Sequence, residues 1–217
     1  MERFLAFPLE QIPFVVIALV LGFTFHEFAH AYAAYKFGDP TAKNQGRLTL
    51  SPLAHLDPFG TILLFIAGFG WARPVPVNRF YFKNPRLAGV VVSLAGPVSN
   101  LIIAFVFYLL WNILLATGIA FVTNEFVYQT FDMIVRINVM LFVFNLLPFP
   151  PLDGYRIIED LMPPNIRAKM TQYEKYGALI FLILVFTPLD QYTIYPIFHT
   201  VIPAVFNMLE AAVSWLF

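Results

Sequence analysis

Apolar residues run along this chain in blocks of membrane length, not at the spacing of one buried face. Five blocks approach or exceed the ~20 residues that cross a bilayer: residues 11–36, 87–117, 126–150, 176–189 with its flanks, and 196–217. The fourth is the weakest, because Thr187-Pro188 ends it early. Between the first two lies a shorter run, PFGTILLFIAGFG (Pro58 to Gly70), with three glycines. A run of roughly 10–14 apolar residues is more often re-entrant or interfacial than spanning. On either side of it, NQGRLTLSP and GWARPVPVN alternate or are β-branched between Gly, Pro and Asn, which predicts short strands. An open strand edge there would accept an extended peptide by β-augmentation; ordered loop is the alternative. The pattern predicts an all-α polytopic membrane protein with about five transmembrane helices, a re-entrant segment and short β-strands. It leaves no room for a second soluble domain, so residues 1–217 are expected to form one integral-membrane domain.

Composition agrees with that pattern. The chain is 59% hydrophobic and only 12% charged, about half the usual charged fraction of a soluble domain. Zero net charge and the lack of a Lys/Arg block argue against a nucleic-acid partner. Without cysteine there is no disulfide and no thiolate metal site. The start, MERFLAFPLEQIPF, carries Glu2 and Glu10 and no small-residue cleavage pattern, so no removable signal peptide is read there. The lipid bilayer is the expected environment; nothing in the composition sets an oligomeric state.

The chemistry sits inside the first block. FTFHEFAH places His26, Glu27 and His30 in a membrane-length apolar run, where ionisable groups are costly and mark function. On a helix, residues i and i+4 share a face, so His26 and His30 present two imidazoles to one ion. Zinc suits neutral imidazole in a tetrahedral site with an open position, and Glu27 stands beside it as a general base. Two histidines merely satisfied within a bundle would leave Glu27 an unexplained buried charge. A catalytic zinc needs a third protein ligand. His55 lies in a loop and His199 near the last block; Asp153, in NLLPFPPLDG, is better placed. Pro148, Pro150 and Pro151 unwind that segment, and irregular backbone at membrane depth is tolerated only in protein or along a wet cavity.

Bringing Asp153 to the two histidines constrains topology. If Pro58–Gly70 crossed the membrane, the late ends of blocks 11–36 and 126–150 would lie on opposite faces. If it turns back, they share a face. All of the 13 Lys and Arg except Arg3 and Arg136 then fall on that face, which the positive-inside rule makes cytoplasmic.

HEFAH together with NLLPFPPLDG resembles the site-2 protease family of intramembrane zinc metalloproteases, and SLAGPVSN (Ser93 to Asn100) is similar to that family's Gly-Pro helix. The resemblance covers roughly residues 11–160, the expected catalytic core, with residues 176–217 as C-terminal helices. It implies one zinc ion held by His26, His30 and Asp153, Glu27 as general base, and Asn145 orienting substrate or stabilising an oxyanion. The substrate it implies is a transmembrane protein or peptide, cut from a site open to the cytoplasm of a prokaryotic membrane. The chain has no PDZ or CBS domain of the kind many members carry.

Other residues leave two readings open. Asn100 packs the Gly-Pro helix against the H-E-x-x-H helix or contacts substrate. His55 is a loop histidine satisfied by hydrogen bonds, or a substrate or auxiliary metal contact. Arg136 lies well inside its block and should face protein or water, paired with Glu27 or Asp132. A metal-binding membrane protein that holds transmembrane segments without cutting them is the alternative function; it has no need of Glu27. Zinc transport fits poorly, since the residues form one site and not a relay.

Overall fold

The computed structural model describes residues 7–67 and 70–215. Nine α-helices run in order along them. They are α1 (Ile12–Lys36), α2 (Thr41–Asn44), α3 (Pro58–Ala67), α4 (Pro85–Thr117), α5 (Glu125–Asn145), α6 (Asp153–Leu161), α7 (Pro164–Glu174), α8 (Gly177–Phe186) and α9 (Asp190–Ser214). Four of them are long and apolar enough to cross a membrane: α1 with its lead-in turn, α4, α5 and α9.

The sequence sets these boundaries by local chemistry. Asn84 and Asn124 cap α4 and α5, their side-chain oxygens accepting Leu87 N–H at 3.3 Å and Phe126 N–H at 2.9 Å. Gly118 ends α4 at φ 64°, a left-handed conformation that costs glycine little. Helices α1, α4 and α5 pack together into the centre of the molecule. Val15, Leu19 and Phe23 of α1 meet Ile103 of α4 and Ile134, Ile137 and Leu141 of α5 in one apolar cluster. At the α1–α5 crossing, a Cβ on Gly22 would sit 2.8 Å from Leu141, so the helices approach only because the residue is glycine. Helix α9 covers the other side of α5, with Val205 and Leu209 against Val135, Val139 and Val143.

Three expectations need revision. The block 176–189 yields only the ten-residue α8, about 15 Å at 1.5 Å per residue, too short to cross alone. The last helix begins at Asp190 and runs through Pro196 and Pro203, not from residue 196. Neither predicted strand forms among the described residues; Ala72 of the second stretch makes an isolated antiparallel bridge to Leu56, which lies beyond the first. The reason is where the backbone groups go. Residues 44–47 close a tight turn through Gly46, φ 68°, with Arg47 N–H bonded to Ala42 O. Along 70–78, Pro74 and Pro76 have no N–H, and the N–H groups of Val75 and Asn78 bond the side chains of Glu27 and Asp39. Side chains thus take the place of a neighbouring strand.

After α3 the chain returns to where it left. A Cβ on Gly70 would lie 2.1 Å from Gly60 O, and Arg73 N–H bonds His55 O at 2.7 Å. The end of Pro58–Gly70 therefore sits against its own beginning.

Candidate metal centre

Helix α1 presents His26 and His30 one turn apart toward α4, whose Val92, Gly96 and Asn100 line the facing stripe at every fourth position. His30 Nδ1 lies 2.7 Å from Val92 O, which can only accept, so Nδ1 carries the proton. His26 Nδ1 lies 2.7 Å from Asn100 Oδ1. The Asn100 amide donates to Gly22 O at 3.1 Å and to Asn138 Oδ1 at 2.9 Å, which orients its oxygen toward His26. Asn138 is fixed in turn by donating to Ile134 O at 2.9 Å. In the neutral rings these bonds place the proton on Nδ1 and leave Nε2 as the ligand atom.

Those two Nε2 atoms stand 3.0 Å apart, and each lies 3.2 Å from Asp153 Oδ2. Asp153 comes from the first residue of α6, immediately after the proline turn that ends α5. Its Oδ2 is buried with no hydrogen-bond donor among the described residues. Three lone-pair atoms converging in a buried place repel one another unless a cation lies between them. A tetrahedral ion with ligand bonds of about 2.0–2.1 Å would separate its ligand atoms by about 3.3–3.4 Å, close to what is found. His26, His30 and Asp153 are the one such group among the described residues.

Two glycines make room for this arrangement. A Cβ on Gly96 would fall 2.3 Å from His30 Nε2 and 2.6 Å from His26 Cε1. One on Gly154 would fall 2.3 Å from Leu146 O, so the start of α6 folds tightly onto the end of α5.

The three groups open into a cavity of about 730 Å³ that Glu27 and Asn145 also line. Glu27 is buried, and its Oε2 accepts Val75 N–H at 2.8 Å. Arg47 steadies that same segment, donating to Arg73 O at 2.6 Å and Pro74 O at 3.3 Å. Asn145 Nδ2 donates to Leu141 O at 2.9 Å, which leaves its second N–H for the cavity. Its lining includes apolar Phe23, Leu141, Phe144 and Phe181 and charged Arg79, Arg156, Glu159 and Glu174. Asp160 is fully buried beside Gly89 and pairs with Arg79 and with Arg167 at 3.1 Å. Burial pushes its carboxyl upward and the two guanidiniums oppose the shift.

The other candidates sit elsewhere. His55 is wholly buried with one ring nitrogen 2.7 Å from Thr49 O, and it is not among the described residues that line the cavity. Asn100 is also fully buried and touches His26, and it too is not among the described residues that line the cavity. Arg136 pairs with Asp132, not Glu27, and faces outward. Sequence reasoning missed Asn138, although an amide in the middle of an apolar span was a signal. It also missed Val75, whose contribution is a backbone N–H that no residue type announces.

The family model for peptidase family M50 matches residues 112–188. A protein of Bacillus subtilis, named "Putative zinc metalloprotease YwhC", is 57% identical over 215 residues, 97% of each chain. The chain belongs to peptidase family M50. A Mycolicibacterium smegmatis relative named "Putative zinc metalloprotease Rip2" is 31% identical over 80% of this chain and 67% of its own. A Methanocaldococcus jannaschii relative, "Putative zinc metalloprotease MJ0611", is 31% identical over 66% of this chain and 68% of its own. No solved structure shows a significant match to this M50 chain.

Proposed function

We propose that this metalloprotease is an intramembrane zinc endopeptidase that hydrolyses peptide bonds in or near transmembrane segments of other proteins. The observation that carries the reading is the convergence of His26, His30 and Asp153 in a cavity shared with Glu27, among helices of membrane length. When bound there, zinc supplies Lewis acidity toward a carbonyl and makes water acidic near neutral pH. His26, His30 and Asp153 would hold it, one ion per chain. Glu27 accepts the proton of the attacking water through Oε1, since Val75 N–H occupies Oε2, and passes it to the leaving amine. The free N–H of Asn145 donates to the oxyanion. A substrate helix must unwind to enter, because its carbonyls are otherwise bonded within the helix.

The contact of Gly60 with Gly70 supports a segment that dips into the membrane and returns, and with it a site that opens to the cytoplasm. In this reading residues 1–217 act as one metalloprotease domain. The test is cleavage of a reconstituted transmembrane reporter. Glu27→Gln is expected to retain zinc and lose cleavage; cleavage at the parent rate would remove Glu27 from the mechanism. Loss of both zinc and cleavage would make Glu27 structural.

A further inference from the structure

The outer face of α5 carries charge where lipid is expected. Arg136 is the twelfth residue of this 21-residue helix, about 16 Å from its first residue at 1.5 Å per residue. Depth is fixed independently by Asn138, half a turn away, which lies against Gly22 in the interior of α1. At this level the Arg136 side chain is 62% exposed and its partner Asp132 is 32% exposed. Gln129 and Glu125 continue the same face toward the helix start, bonded to each other at 2.7 Å. An ion pair open to hydrocarbon at mid-membrane is costly, so protein or water is required to cover it.

The geometry of the pair indicates what covers it. Arg136 Nε lies 2.7 Å from both oxygens of Asp132, so the guanidinium is drawn to the level of the carboxylate. Both Nη groups have no protein acceptor among the described residues, and each carboxylate oxygen keeps a lone pair. One chain thus offers donors and acceptors side by side at the same depth. Two copies in one membrane share an orientation, so a two-fold axis between them runs along the membrane normal and preserves depth. It would bring Nη of each Arg136 onto Asp132 of the other, closing a neutral ring of four alternating charges.

We propose that the Asp132–Arg136 face of α5 is the interface of a homodimer within the membrane. This goes beyond the protease reading and rests only on α5 as a membrane span.

The chain contains no cysteine, so Gln129→Cys introduces a single thiol on this face. Oxidation in native membranes is expected to give a disulfide-linked dimer, joined by mass spectrometry through the introduced thiol of each copy. Leu110→Cys, on the exposed face of α4, is expected to give none. In nanodiscs, single-molecule photobleaching is expected to show two steps for the parent chain. It should show one for Asp132→Leu/Arg136→Leu, with zinc content unchanged as the check on folding. A one-step parent, an equal dimer fraction in the double variant, or capture of a different protein by the introduced thiol would each overturn the proposal.

Discussion

Replacing Gly96 with alanine adds one methyl group at the back of the proposed zinc site. Its carbon would stand 2.3 Å from His30 Nε2 and 2.6 Å from His26 Cε1, against ordinary contacts that begin near 3.4 Å. The rings or α4 must therefore yield by about 1 Å, while metal–ligand distances tolerate about 0.2 Å. Overpacking of this kind costs about 1–3 kcal/mol, which corresponds to zinc affinity lower by about five- to 150-fold. The helix itself gains from the change, since alanine is the better helix former by about 1 kcal/mol. The apo protein should thus keep its thermal midpoint while the rise on adding zinc shrinks. Chelator competition in detergent, with melting curves for apo and holo protein, measures both. Parent-level zinc affinity in a folded Gly96→Ala protein would refute the placement of the ion between those rings.

Three further outcomes follow from the same contacts. Asn100→Ala removes the acceptor that fixes the His26 tautomer, and zinc affinity by competition titration should fall about 10–100-fold with the fold retained. Asn145→Ala should lower kcat for a transmembrane reporter by about 10²-fold with zinc stoichiometry unchanged, as expected of an oxyanion donor. Val75→Pro deletes the N–H that holds Glu27; hydrogen bonds to charged groups contribute about 1.5–3 kcal/mol, so turnover should drop tenfold or more with zinc still bound.

Much of this was legible in the sequence because the membrane leaves few alternatives. Long apolar blocks gave α1, α4 and α5 nearly to their ends, since backbone groups in lipid must be satisfied within helices. Asp153 could be matched to HEFAH because the prolines of NLLPFPPLDG unwind the chain beside it, whereas His55 and His199 lie in less suitable places. The extended segment 70–78 was misread where β-branched residues suggested strand pairing, while its N–H groups bond Glu27 and Asp39 from distant parts of the chain. Those partners are fixed by packing, which local patterns do not express. Asn100 was singled out, but its contact with His26 depends on the register of α4 against α1. The outward face of Arg136 was hidden for the same reason: helical spacing pairs it with Asp132 without saying which way the pair points.

K-edge absorption spectroscopy of the purified zinc-loaded protein, beside Asp153→Ala, reads the ligand set itself. Two imidazole nitrogens and one carboxylate oxygen from protein are expected on a four-coordinate zinc, with the carboxylate contribution lost in the variant. A third imidazole in the parent, or an identical spectrum from Asp153→Ala, would contradict that ligand set.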